Sequence, residues 1–256
     1  MNMIDTHAHL FSKEFDNDIE DVVKRSKEVG VKSVLLPNID ESTISKLKKT
    51  TNQFPDFFLP MMGLHPTSVD DGWKKQLEII QDEINNERYI AIGEIGIDLH
   101  WDDKFKKEQI IVFEEQLKWS SEMDLPVSIH FRDATEEVVK SIQRVGSNKL
   151  KGVFHSFGGN SHELNSILQL KNFLIGINGV VTYKNSGLDK TLIDCPAEYV
   201  VMETDSPYLS PVPHRGKRNE SSYIYIVLNK LAEIWKKDEE KVALITTANA
   251  ERVFSL

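Results

Sequence analysis

An α/β fold, a single-domain (β/α)8 TIM barrel, is what the sequence predicts, on three observations. Short apolar, β-branched runs recur eight times, roughly 20 to 35 residues apart, the length of repeated strand-plus-helix units. Amphipathic stretches fill the intervals, and strands alternating with helices favour a parallel sheet. About eight such units in 256 residues match the size of a closed barrel. A doubly wound open sheet is the structural rival. It usually carries a Gly-rich phosphate loop after an early strand, and this sequence has none.

In order, strands are predicted over residues 3–7, 32–37, 57–63, 89–95, 126–130, 152–155, 173–177 and 199–203. A helix over 16–28 places Ile19, Val22 and Val23 on one face, and one over 73–85 does the same with Leu77, Ile80 and Ile84. Further helices are predicted over 104–123, 134–145, 161–170 and 222–235. A C-terminal helix pair ending over 248–254 would close the barrel. With no linker, low-complexity tract or short repeat in sight, residues 1–256 read as one domain.

Composition narrows the partners. Lys and Arg number 31 against 40 Asp and Glu, a net charge of −9, with 40% hydrophobic and 28% charged residues. That is ample material for a large core, and it argues against disorder. The acidic balance argues against coating nucleic acid or a membrane through bulk charge, while leaving room for a local basic cleft. The lone Cys195 cannot form an internal disulfide, which fits a reducing compartment. The first residues carry Asp5, His7 and His9 where a signal peptide needs an apolar run, and no stretch approaches the roughly 18 apolar residues of a membrane span. The expectation is a cytoplasmic protein, or a nuclear one in a eukaryotic cell, with no membrane partner. Oligomeric state is left open.

The polar residues fall in a pattern on this frame. Asp5, His7 and His9 stand two apart at the end of the first strand and are expected to project to one side. A surface strand of alternating polar residues would look the same. Recurrence distinguishes the two: His65 closes the third strand run, Glu94 the fourth, His130 the fifth, His155 the sixth and Asp205 the eighth. In a barrel these strand ends meet at one mouth, where such enzymes keep their active sites. Gathering so many imidazoles and carboxylates there without a cation would be electrostatically costly. Imidazole and carboxylate donors without thiolates suit one or two divalent ions such as Zn, Mg or Mn. The set is large enough for two ions sharing Glu94.

The motifs carrying these residues are Asp5-Thr-His-Ala-His9, Gly-Leu-His65-Pro, Gly-Glu94-Ile-Gly-Ile-Asp98, Ile-His130-Phe-Arg132-Asp-Ala, Phe-His155-Ser-Phe-Gly-Gly and Glu-Thr-Asp205-Ser-Pro-Tyr-Leu. In this order they resemble the TatD family of metal-dependent deoxyribonucleases, over residues 3 to 220, with Asn249 in its closing motif also similar. The resemblance implies a barrel of the amidohydrolase superfamily with His7, His9, Glu94, His130, His155 and Asp205 as metal ligands. It implies hydrolysis of DNA phosphodiesters, often from an end, with single strands or ends as substrate. Asp205 would hold a metal-bound water and take its proton, and His65 would contact the phosphate or protonate the leaving oxygen. Glu94 would share the catalytic work as the bridge. Arg132, Arg215, Lys217 and Arg218 would bind substrate phosphates. Two loops depart from the family pattern: Ser221 stands where proline usually follows Asn-Glu, and Leu99-His100-Trp101 follows Gly-Ile-Asp where an aromatic is common. The rival readings are an amidohydrolase or esterase acting on a small molecule, and a metal-binding scaffold without turnover.

Overall fold

The computed structural model describes residues 1–100 and 103–256. Trp101, within one of the two departures noted above, lies outside the described residues. Eight parallel strands form in the predicted places: β1 (Met3–Asp5), β2 (Val31–Pro37), β3 (Phe58–Met61), β4 (Ile92–Gly96), β5 (Val127–His130), β6 (Gly152–Phe154), β7 (Phe173–Ile177) and β8 (Val200–Met202). β1 to β3 pair in sequence, as do β4 to β8. Two parallel bridges join the sets, Met62 with Ile92 and Ala8 with Ser206. Hydrogen bonds from Gly93 N to the Met62 carbonyl (2.9 Å) and from Asp205 N to the His7 carbonyl (2.9 Å) run across the same seams. The result is a (β/α)8 barrel.

Apolar side chains on both faces explain why the strands read as near-continuous hydrophobic runs. Ile4, Leu35, Met61, Val153, Leu174 and Val201 fill the barrel interior, and Ala250, Val253 and Phe254 of the last helix plug its floor. The opposite faces, among them Val34, Ile95, Ile129, Phe154 and Ile175, join the larger cluster beneath the outer helices. These are α1 (Ile19–Glu28), α2 (Ile44–Gln53), α3 (Trp73–Asn86), α4 (Lys106–Met123), α5 (Thr135–Val145), α6 (Ser161–Leu168), α7 (Leu188–Leu192), α8 (Ile224–Trp235) and α9 (Glu239–Phe254). Asn249 of α9 clamps the floor to β8, its Nδ2 donating to the carbonyls of Ala197 and Val200 at 2.8 Å each. Asn249 is therefore remote from the mouth. No helix among the described residues is long and apolar enough to cross a membrane.

One glycine fixes how closely β4 and β5 approach beside the mouth. Gly96 adopts φ +147°, and a Cβ built on it would lie 1.9 Å from the His130 carbonyl oxygen. Both the backbone conformation and the contact exclude a side chain. Gly96→Ala is expected to cost about 2 to 4 kcal/mol and to lower Tm by roughly 5 to 15 °C. Thermal unfolding at fixed metal concentration checks this, and an unchanged Tm would show that the β4–β5 pairing relaxes freely around Ala.

Candidate metal centre

The strand ends deliver their side chains to one place. His7 and His9 follow β1, His65 follows β3, Glu94 lies in β4, His130 ends β5, His155 follows β6 and Asp205 follows β8. All are buried except His130, which is partly exposed. The seven side chains sort into two groups around the two oxygens of Glu94. Its Oε2 lies 3.1 Å from His7 Nε2 and 3.4 Å from His9 Nε2, and these two nitrogens are 3.3 Å apart. Asp205 Oδ1 completes this group at 3.8 and 3.6 Å from the same nitrogens. Glu94 Oε1 lies 2.8 Å from His155 Nε2, 3.0 Å from His130 Nδ1 and 3.1 Å from His65 Nε2.

These spacings fit a divalent ion in each group. Donors about 2.1 Å from a shared ion, at tetrahedral or octahedral angles, sit about 3.0 to 3.4 Å from one another. Two imidazole nitrogens facing each other beside a carboxylate, with no thiolate near, make a cation cradle by their chemistry alone.

Outer contacts decide which ring nitrogen faces inward. His130 Nε2 meets Asp98 Oδ2 at 2.7 Å, which leaves the Nδ1 lone pair for the cradle. His7 Nδ1 meets the Ser128 hydroxyl at 3.1 Å, so its Nε2 faces the cradle. His155 Nδ1 points at Glu203 Oε1, 3.7 Å away, and its Nε2 also faces inward. His65 differs. Its Nδ1 accepts from Thr67 N at 3.1 Å and lies 2.7 Å from the Thr67 hydroxyl, so the neutral ring carries its proton on Nε2. A nitrogen that bears a proton donates rather than ligates, which sets His65 beside the donors as a hydrogen-bond donor.

Burial and the facing charges set the protonation of each group. Burial alone would raise the Glu94 carboxyl, but His155, His65 and His7 around it hold it well below the usual range. Asp205 is likewise pulled down against burial by His9, His155 and His7, so both acids are ionised. Burial lowers His7 and His65, favouring neutral rings. At His130 and His155 burial is outweighed by the carboxylates they face, Asp98 and Glu94 for the one, Glu94 and Glu203 for the other, and both are raised.

The structure adds to or departs from the sequence expectations at three places. Asp5 does not share a face with His7 and His9. Ile4 belongs to the barrel interior and His7 faces the centre, so the alternation slips by one residue between them. The Asp5 carboxylate turns to the β8 side and accepts from Thr204 N (2.9 Å) and Thr204 Oγ1 (2.6 Å), and burial pushes its pKa up to about 7. Arg218, expected among the phosphate-binding cations, is committed instead to a two-pronged pair with Asp18, 2.7 Å on each prong, and stacks over Phe15. Its neighbours Arg215 and Lys217 are exposed, Arg215 lying over the Tyr183 ring at 4.3 Å, and Arg132 is exposed two residues after His130. Residues 188–192 and 44–53, left unassigned in the sequence, are helical.

Sequence reasoning also missed the groups behind the histidines: Asp98, Ser128, Thr67 and Glu203. Asp98 and Glu203 stood inside quoted motifs, and Glu203 lies two residues before Asp205 on the alternation from Val201. Glu203 Oε1 accepts from Ser156 N at 2.5 Å, and its carboxylate occupies the space a side chain at Gly176 would need. A cavity of about 760 Å³ lies away from this chemistry, among Lys149, Lys151, Lys171, Leu174 and Arg252 near the floor of the barrel.

A barrel whose mouth holds two imidazole–carboxylate cradles joined by one glutamate defines a metal-dependent hydrolase. The family model described as TatD related DNase matches residues 4–255. The chain is 36% identical to an uncharacterised metal-dependent hydrolase, YabD, of Bacillus subtilis, over 99% of both chains. It is 31% identical to a protein named 3'-5' ssDNA/RNA exonuclease TatD of Pectobacterium carotovorum, over 99% of this chain and all of that one. The crystal structure of YjjV, a TatD homologue from Escherichia coli, superposes with a TM-score of 0.93 at 26% identity, covering 99% of this chain and 98% of that one. The chain belongs to the TatD-related DNase family: it is a metal-dependent hydrolase acting on DNA phosphodiester bonds.

Proposed function

We propose that this chain shortens single-stranded DNA from an end, with His7, His9, Glu94 and Asp205 holding one divalent ion and Glu94, His130 and His155 a second. The observation that carries the reading is the pair of Glu94 oxygens, each facing its own donor set. Divalent ions so placed would polarise phosphoryl oxygens and make water a stronger nucleophile near neutral pH. Asp205, ionised at the mouth, accepts the proton of the attacking water. As the water oxygen bonds to phosphorus, the bond to the leaving ester oxygen breaks in line, and that oxygen takes a proton from solvent water while Asp205 returns its own to solvent. Neutral His65 offers its Nε2–H to a phosphate oxygen, where negative charge grows. Arg132, Arg215 and Lys217 contact flanking phosphates, while Arg218 holds the loop to α1's N-terminal side through Asp18. The name of the Pectobacterium relative supports a single-stranded substrate and attack at the 3′ end. The buried, lone Cys195 supports a reducing, cytoplasmic setting.

Protein purified without chelator is expected to carry one to two divalent ions per chain by elemental analysis. It should shorten a 5′-labelled single-stranded oligonucleotide into a ladder, and chelation should stop this until Mg, Mn or Zn is returned. Protein that holds no metal and takes up none would sink the reading. A metal-loaded protein that opens a lactone but leaves the oligonucleotide intact would move the small-ester alternative ahead.

A further inference from the structure

The turn after Asp205 presents an aromatic ring that the hydrolytic chemistry does not use. Tyr208 is 56% exposed, although it stands three residues from a proposed ligand. Its ring centroid lies 6.1 Å from that of His9, tilted by 62°, so the ring flanks the cradle. Among the described residues one other aromatic is strongly exposed, Tyr225 on α8. Four hydrogen bonds hold the turn beneath Tyr208. Tyr208 N donates to the Asp205 carbonyl at 2.8 Å, and Asn219 Nδ2 donates to the Tyr208 carbonyl at 2.6 Å and the Thr204 carbonyl at 2.8 Å. Asn219 N closes the turn on the Pro207 carbonyl at 3.0 Å. A ring held on so firmly bonded a turn can offer its face to a planar partner with little reorganisation.

We infer that Tyr208 is a stacking platform for the nucleobase next to the scissile phosphate, and so a specificity-determining residue. The inference rests on the single-stranded DNA reading above. Every base offers a π-face, so such a platform tolerates sequence while rejecting phosphodiesters that carry no base. A tyrosine ring on a pinned turn also loses little side-chain freedom on binding, having only two χ angles to fix. The geometry has a further consequence. A base stacked on Tyr208 with its phosphate at the cradle has left its duplex neighbours, so a paired end must fray before it is cut. Preference for single strands is thus built into one residue beside the metal donors.

The test compares two oligonucleotides, one normal and one whose terminal nucleoside is replaced by a propanediol phosphate spacer. The wild-type protein should show a KM about tenfold higher for the spacer substrate, the range that base–aromatic stacking supplies. Tyr208→Leu should raise KM for the normal oligonucleotide by about the same factor and erase the difference between the two substrates. Tyr208→Phe should keep the difference, since the ring and not the hydroxyl carries it. Metal content measured on each variant separates a lost platform from a damaged cradle. Equal KM values for both substrates in the wild type, or a Tyr208→Leu variant that still discriminates, would overturn the inference alone. A metal-loaded wild type that cuts neither oligonucleotide would overturn the reading beneath it as well.

Discussion

Glu94→Gln should empty both halves of the centre at once. In the native protein one carboxylate supplies an oxygen to His7 and His9 on one side and to His130, His155 and His65 on the other, all within 3.4 Å. Glutamine keeps the size of the side chain but offers a neutral oxygen to one group and an NH2 donor to the other. The NH2 can bind no cation, and the negative charge that makes a cluster of imidazoles tolerable is gone. Elemental analysis should therefore find metal reduced at both positions, and hydrolysis of single-stranded DNA should fall by at least about a thousandfold. Circular dichroism should still report a folded barrel, because the apolar floor and outer layer are separate from the mouth. Retention of a full ion with only a modest loss of rate would show that Glu94 serves one position and does not join two.

How far such a centre can be read in a sequence depends on how local its causes are. The strand-end donors were legible because a strand aims alternate side chains to one side and a barrel gathers its strand ends. His65, Glu94, His130, His155 and Asp205 needed no more than that. Asp5 shows the limit of the same rule, since one slip of alternation between Ile4 and His7 turns its carboxylate to Thr204. The run Arg215-Gly-Lys217-Arg218 looked uniform as sequence. Arg218 differs because Asp18 waits 200 positions away along the chain, a partner that no local pattern supplies. α2 was invisible for a plainer reason: only Ile44 and Leu47 of its ten residues are buried, and two threonines weaken its helical preference. Glu203 and Asp98 stand inside the recurrent motifs, but nothing local in the sequence gives either a role. Their work is to orient His155 and His130 from behind, a role defined only by which ring nitrogen they meet.

Asp205→Asn should separate catalysis from assembly. Asp205 sits at φ +57°, a left-handed conformation that asparagine adopts readily and most residues do not. The substitution therefore preserves the turn, including the hydrogen bond from its backbone N to the His7 carbonyl that helps close the barrel. What it removes is a charge that is present at neutral pH. Burial would raise the carboxyl, yet His9, His155 and His7 hold it down, so the native group is ionised. Asparagine neither completes the His7–His9 group as an anion nor accepts a proton from the attacking water. Activity on single-stranded DNA should fall by at least about a hundredfold, within the range for loss of a general base, and chiefly in kcat. Metal content should fall selectively: the Glu94–His130–His155 group, to which Asp205 contributes no atom, should keep its ion. Loss of both ions would give Asp205 a structural role in the whole centre. Near-native turnover would pass the proton to another group, and His65 is the first to examine, its ring neutral through burial and its one basic nitrogen being Nδ1, which accepts from Thr67 N. Asp205→Asn/His65→Ala would then decide it, because two residues sharing one proton transfer lose together what neither loses alone.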